Sequence, residues 1–336
     1  MVNTLVSGAL LVVAGGAMNG SFSVPMKLQT NWPWANTWLV YSVVGLLLIP
    51  IALAVHSVPH LLAAYGAASP GALALTTLFG LGWGMGSVLF GLGISRLGIG
   101  LGFAIILGLT AALGALIPLL VLTPQHLRTP QGIGIMVGLG VVLVGIALCA
   151  RAGGLKNPEP VQGSASSYRA GLLICLASGV LSSMLNLALA FGAPIAASAV
   201  RNGASATGGQ NAVWALAVGA GALVNIGYTL SLLFRGRRWS AYRGAGNARS
   251  WVAAATMGIL WMLGVVVYGA GVSSMGALGV IIGWPLFMAT VIVTSNVWGF
   301  ATAEWRGARP AAVAYNIAGV IVLIVAILVI SRAGSL

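Results

Sequence analysis

Residues able to do acid–base, nucleophilic or metal chemistry are nearly missing from this chain. It has no aspartate and two glutamates, Glu159 and Glu304; its three histidines, His56, His60 and His126, fall at or beyond the ends of apolar stretches. A Ser–His–Asp relay, a paired-carboxylate site and a carboxylate-bearing metal cluster each need more than this inventory holds. The glycine-rich run 80–86 lies inside an apolar stretch, not between a strand and a helix, so it does not read as a phosphate loop. No enzyme, cofactor or metal is expected. What remains is hydrogen bonding and stacking. Asn19, Asn186, Asn225 and Asn296 sit within apolar stretches, as do Trp83, Trp261 and Trp284. Side-chain amides both donate and accept, and indole faces cover C–H surfaces. Such a set suits a neutral, hydroxyl-rich small molecule. A cation would need a carboxylate in the same stretches, and a dianion would need buried basic groups; Lys27 and Arg96 lie near the ends instead.

The elements that hold these residues must be membrane helices. Hydrophobic residues make up 59% and charged residues 5%, with a mean hydropathy of +1.05, against about 25% charged in a soluble domain. Such a chain cannot cover a water-facing surface, so its solvent is lipid. The 49 glycines suit helices that approach closely in a bilayer. Crossing about 30 Å of hydrocarbon takes about 20 apolar residues. Such runs are predicted near 3–24, 36–56, 72–94, 98–121, 131–150, 170–192, 211–234, 251–271, 277–301 and 311–331. The fold class is therefore an all-α integral membrane protein of about ten transmembrane helices. Helices three and four, around Arg96, and eight and nine, around Ser274, form tight hairpins. The first run has no basic leader or small-residue cleavage site and is expected to stay as a helix. Cys149 and Cys175 fall inside apolar runs and read as packing residues.

Charge sets the orientation. Connectors after odd-numbered helices carry Lys27, Arg96, Arg151, Lys156, Arg169, Arg235, Arg237, Arg238, Arg243, Arg249, Arg306 and Arg309; the opposite connectors carry Arg128, Arg201 and Arg332. The basic side is expected to face the cytoplasm, with both termini periplasmic. The net charge of +13 then reflects topology, and the partner it implies is the bilayer, not nucleic acid.

The chain echoes itself. Val144 to Gly153 and Val325 to Gly334 both end an apolar run on Arg-Ala-Gly; Gly91 to Gly98 resembles Ala270 to Gly276; Gly-Ala-Leu-Leu at 8–11 resembles Ala-Gly-Leu-Leu at 170–173. The expected organisation is one five-helix repeat over 1–152, a polar cytoplasmic linker at 153–169, and a second repeat over 170–336. An odd number of crossings inverts the second copy, the plan of many alternating-access carriers.

Phe79-Gly80-x-x-Trp83-Gly84-x-Gly86, then Gly91 and Arg96-Leu97-Gly98, lead into a Gly-rich helix with Thr110, Gly114 and Pro118. This block resembles the L-rhamnose–proton symporter family of the drug/metabolite transporter superfamily. Pro25, Lys27, Asn225-x-Gly227, Trp261, Tyr268-Gly269 and Glu304-Trp305 before Arg309-Pro310 agree as well. The resemblance runs through the whole chain. It implies ten helices in two repeats and uptake of a deoxy-sugar with protons across a bacterial inner membrane.

Asn186, Asn225, Asn296, Trp83, Trp261 and Trp284, with Asn19, are the expected lining of a pocket for a neutral sugar. Each also suits contact between helices, and Trp34 and Trp38, near a helix end, suit the interfacial belt. Glu304 has two readings: a surface or gate ion pair with Arg306 or Arg309, or the coupling group itself. Glu159 reads as a solvated loop residue. Sodium-coupled or uncoupled carriage, and another cargo such as a nucleoside or amino acid, stay open.

Overall fold

The computed structural model describes residues 2–27, 31–156, 165–244 and 247–333. Glu159 and the rest of 157–164, the middle of the expected linker, lie outside them. Ten helical spans are long and apolar enough to cross a membrane: α1 (Thr4–Lys27), α2 (Trp34–Ser57), α3 (Pro70–Ile94), α4 (Ile105–Leu122), α5 (Pro130–Lys156), α6 (Tyr168–Arg201), α7 (Ala206–Gly236), α8 (Ala248–Ser274), α9 (Gly279–Ala301) and α10 (Pro310–Ala333). They match the ten predicted runs. Starts are punctuated as the sequence suggests: the Ser69 hydroxyl accepts from the Ala72 N–H before Pro70, and Ser205 does the same for Gly208, capping donors that helix starts leave unpaired. Apolar side chains such as Leu10, Leu173, Val252 and Leu328 are exposed on the outer surface, as a lipid-facing wall requires.

Three departures from straight helices matter for the site. The backbone stays helical from Pro70 through Leu122, with no loop between α3 and α4, yet the chain doubles back. Gly93 and Gly86 lie against Cys175 and Ser182 of α6 in descending order, whereas Gly179 and Asn186 meet Ile106 and Gly114 in ascending order. So α3 runs antiparallel to α6 and α4 parallel to it. α6 continues past the predicted 192 to Arg201, broken at Gly192 between helices Ala165–Phe191 and Ala193–Arg201. α2 contains a π-helical stretch, Ser42–Leu48, a distortion that recurs at functional places. The α8–α9 hairpin turns on Gly276, whose φ of 73° suits glycine.

Helix contacts run between the two halves of the chain more than within them. α3 and α4 flank α6, and α1 meets α8 and α9. α7 lies on α2 and α3, α2 on α8, and α5 on α10; α4 meets α5 and α9 meets α10. Glycine permits several of these approaches: a Cβ on Gly45 would overlap the Gly258 backbone, and one on Gly84 the Gly221 backbone. Both cysteines pack on glycines, Cys175 on Gly93 and Cys149 on Gly319.

Candidate functional site

Between the halves runs a column of polar and aromatic groups, which can be followed from the end carrying the chain termini toward the end carrying most basic residues. At the terminal end lies a cavity of about 240 Å³, lined among others by Pro118, Leu189, Gln210, Val272, Ser273 and Ile281. The break in α6 forms part of its wall through Ala190 and Ala193. Interrupted backbone at membrane depth is tolerated where it borders a cavity.

Beneath it, Asn186 is fully buried and fully used. Its Nδ2 donates to the Gly114 carbonyl at 2.8 Å and the Val280 carbonyl at 3.3 Å, and its Oδ1 accepts from the Tyr268 hydroxyl. One amide therefore ties α6 to α4, α8 and α9. Trp284 donates its indole N–H to the Thr110 carbonyl at 2.8 Å and lies against Gly114, where a Cβ would overlap the ring. The Tyr268 ring meets Trp284, Phe287 and Trp214 with centroids 5.9, 4.8 and 6.3 Å away.

About two helical turns further along α7 and α8, or roughly 10 Å, Trp83 and Trp261 stack at 5.2 Å, with Trp83 lying over Gly221. Asn19 donates to the Trp261 carbonyl at 3.4 Å. One turn deeper, the Asn225 Oδ1 accepts from the Trp38 indole at 3.1 Å and the Ser87 hydroxyl at 2.9 Å, while its Nδ2 donates to the Gly221 carbonyl at 3.1 Å. Six of the seven expected lining residues thus fall in one column, and none of the seven is among the residues that line the cavity.

Asn296 does not join them. Its Nδ2 donates to Ile292 and its Oδ1 accepts from Asn316, so it couples α9 to α10 instead. Of its two expected roles, cavity lining and contact between helices, Asn296 takes the second.

At the basic end lies a cluster of opposite charges. Glu304 pairs with Lys27 from the end of α1, and lies 3.9 Å from Lys156 at the end of α5. Lys27 also donates to the Thr302 hydroxyl at 3.2 Å, and Lys156 sits over the Trp305 ring at 4.9 Å. This corrects the expected partner: the cations facing Glu304 are Lys27 and Lys156, distant in sequence, not Arg306 or Arg309. Arg306 is exposed to solvent. The turn after α9 leaves the Glu304 carboxylate partly exposed, between the ends of α1 and α5.

Sequence reasoning missed Tyr268, Trp214, Gln210, Ser87, Trp38, Lys27 and Lys156 as parts of this column. Trp38 sits where an interfacial tryptophan would, and only its partner Asn225 distinguishes it. Outside the spans, burial pushes the Tyr65 and Tyr242 phenols up to about 12, so both remain hydrogen-bond donors, to the Ala212 and Asn36 carbonyls. In Tyr242 the Asn36 hydrogen bond only partly opposes the effect of burial. Among the described residues, no three His, Cys, Asp or Glu side chains come together. The column can hold polar uncharged groups and stack on C–H faces; it has no fixed countercharge for an ion.

The family model described as L-rhamnose-proton symport protein matches residues 1–334. Proteins named L-rhamnose-proton symporter are similar along their whole length. That of Salmonella dublin is 26% identical over 334 residues, 97% of each chain. That of Cronobacter sakazakii is 28% identical over the same share, and that of Klebsiella pneumoniae 25%. This is a family of membrane carriers, not of enzymes. The chain belongs to the L-rhamnose-proton symport protein family.

Proposed function

We propose that this protein takes up L-rhamnose, or a closely related neutral deoxy- or aldose sugar, together with a proton across a bacterial inner membrane. The observation that carries the sugar reading is the column itself: amides, indoles and a phenol beneath a cavity, with no carboxylate among the described residues of the spans. The named function of the relatives, all from bacteria, supports the same cargo and membrane. The basic end is then cytoplasmic and the cavity opens toward the periplasm.

The proposed mechanism is alternating access between two inverted five-helix repeats, 1–152 and 170–336. Three observations support it. Gly80-x-x-Trp83-x-x-Gly86 in α3 recurs as Gly258-x-x-Trp261-x-x-Gly264 in α8, and the two tryptophans meet face to face. Gly138 of α5 packs on Ile330 of α10, as Gly319 of α10 packs on Cys149 of α5. The register that aligns the two Arg-Ala-Gly ends sets Gly319 on Gly138 and Ile330 on Cys149, so the contact is reciprocal. Lastly, α1 against α8 has its counterpart in α6 against α3, and α2 against α8 in α7 against α3. Such reciprocity is what a two-fold axis in the membrane plane would produce.

In this reading Glu304 and Lys27 form the cytoplasmic gate, tying the second repeat to the first, with Arg306 beside it keeping the surface positive. Exposed ion pairs are worth about 0–1 kcal/mol each, weak enough to open in every cycle. Protonating Glu304 would remove the charge both lysines face, linking opening to the proton. Uncoupled carriage is the second reading, favoured by the same scarcity of acids. Counterflow of labelled L-rhamnose into proteoliposomes, with and without an inward proton gradient, tests both. No counterflow for any neutral monosaccharide would sink the sugar reading, and accumulation indifferent to the gradient would leave the uncoupled one.

A further inference from the structure

We propose that Gln210 and Trp214, one turn apart on α7, are the hydrogen-bonding pair that takes a sugar's hydroxyls from the cavity. The inference deepens the transport reading above and rests on it. The Gln210 Oε1 and the Trp214 Nε1 are both buried, and neither makes a hydrogen bond among the described residues. Trp214 is 0% exposed. An unpaired polar group at this depth is costly, so a partner that arrives with the ligand gives it a use. One atom only accepts and the other only donates. A hydroxyl does both, so one sugar hydroxyl, or two neighbouring ones, can satisfy the pair.

The surroundings fit that role. Gln210 lines the cavity of about 240 Å³, and Trp214, one turn along α7, lies behind that lining. The other walls, Pro118, Leu189, Val272 and Ile281, are apolar, and the Ser273 hydroxyl already donates to Ala270. At position 269 a Cβ would come 2.7 Å from the Trp214 Nε1, so glycine lets α8 pack directly on the indole N–H without supplying it an acceptor side chain. Tyr268, which flanks Trp214, spends its own hydroxyl on Asn186.

The counterpart position shows what such an indole does when it is met. Trp38 stands to Gly45 in α2 as Trp214 stands to Gly221 in α7. The Trp38 N–H donates to the Asn225 amide oxygen. In the same register, the residue that corresponds to Asn225 is Ile49, which offers no acceptor. A ligand oxygen would do for Trp214 what Asn225 does for Trp38.

The test uses the full-length protein in lipid nanodiscs and equilibrium binding of labelled L-rhamnose and its monodeoxy analogues. Trp214→Phe keeps the ring and removes the donor; Gln210→Leu removes the acceptor. Each should weaken L-rhamnose binding at least tenfold, with the sugar-free melting midpoint within a few degrees of the parent. The analogue that loses most affinity for the parent should lose nothing further with the variant, a pattern a merely structural role would not produce. Variants that bind L-rhamnose within twofold of the parent overturn this inference and leave the transport reading standing. A parent that binds no neutral monosaccharide overturns the transport reading, and this inference with it. Should Trp214→Phe fail to assemble, Gln210→Leu, only partly buried at the cavity wall, decides alone.

Discussion

Trp83 of α3 and Trp261 of α8 stack with ring centroids 5.2 Å apart and planes 25° from parallel. Each lies three residues after one glycine and three before another, and each is more than nine-tenths buried. They separate the cavity end of the column from the Asn225 cluster. In the alternating access proposed above, this stacked pair would be the barrier between the two ends of the column.

This relationship makes the first prediction. Replacing either ring by alanine removes a large buried side chain, a change that costs about 3–5 kcal/mol in a core, and also opens the barrier. Trp83→Ala and Trp261→Ala should each lower the melting midpoint and abolish concentrative uptake. Trp83→Phe and Trp261→Phe keep an aromatic face and should retain uptake to within a few-fold. Equal loss in the alanine and phenylalanine variants would show that stacking is not what the position requires.

Asn186 and Tyr268 form the second prediction. Their side chains hydrogen bond to each other while Asn186 also serves Gly114 and Val280. Removing a buried partner leaves the other unpaired, at about 1–3 kcal/mol. Asn186→Leu strips the two carbonyls and the phenol at once and should destabilise far more than Tyr268→Phe, which frees one acceptor. In a double-mutant cycle on thermal unfolding, the pair should couple by about 1 kcal/mol. Additive effects would mean the hydrogen bond contributes nothing beyond its neighbours.

Much of this architecture is legible in the residues. A run of about 20 apolar residues has one stable fate in lipid, so all ten spans could be placed. Polar groups in such runs are expensive, which marked Asn19, Asn186 and Asn225, all three of which fall in the column. That logic does not say which neighbour resolves the expense, and Asn296 turns to Asn316 on α10 instead of to the column. Nor does it find partners far apart in sequence: Lys27 meets Glu304 only because the ends of α1 and α9 meet. Trp38 was obscured by its place near a helix start, where an amphipathic ring is usually explained by the interface. The tight hairpin between α3 and α4 around Arg96 was legible; that the backbone stays helical through it was not.

Gly45 and Gly258 give a third prediction. A Cβ on either would overlap the other's backbone, so neither neighbour can yield by turning a side chain. Gly258→Leu and Gly45→Leu should push α2 off α8 and reduce the yield of monodisperse protein severalfold. By contrast, Gly140 has open space around its Cβ position, and Gly140→Ala should be neutral or slightly stabilising. Size-exclusion profiles and melting midpoints in one detergent check the contrast; a normal profile for both leucine variants would refute the close crossing.

Glu304 supplies the last. It is the sole acid among the described residues, and it faces Lys27 and Lys156 together. If its protonation unlocks the cytoplasmic end, Glu304→Gln is permanently unlocked there. It should still exchange labelled for unlabelled L-rhamnose across proteoliposomes, because exchange needs no net proton movement. It should lose accumulation driven by an inward proton gradient, by tenfold or more. Lys27→Ala should act in the same direction but less, since Lys156 remains to hold the carboxylate. The sign matters: lowering the external pH should raise uptake by the parent and leave the glutamine variant flat. A Glu304→Gln protein with full gradient-driven accumulation would remove Glu304 from coupling and leave it a structural tie between the two halves.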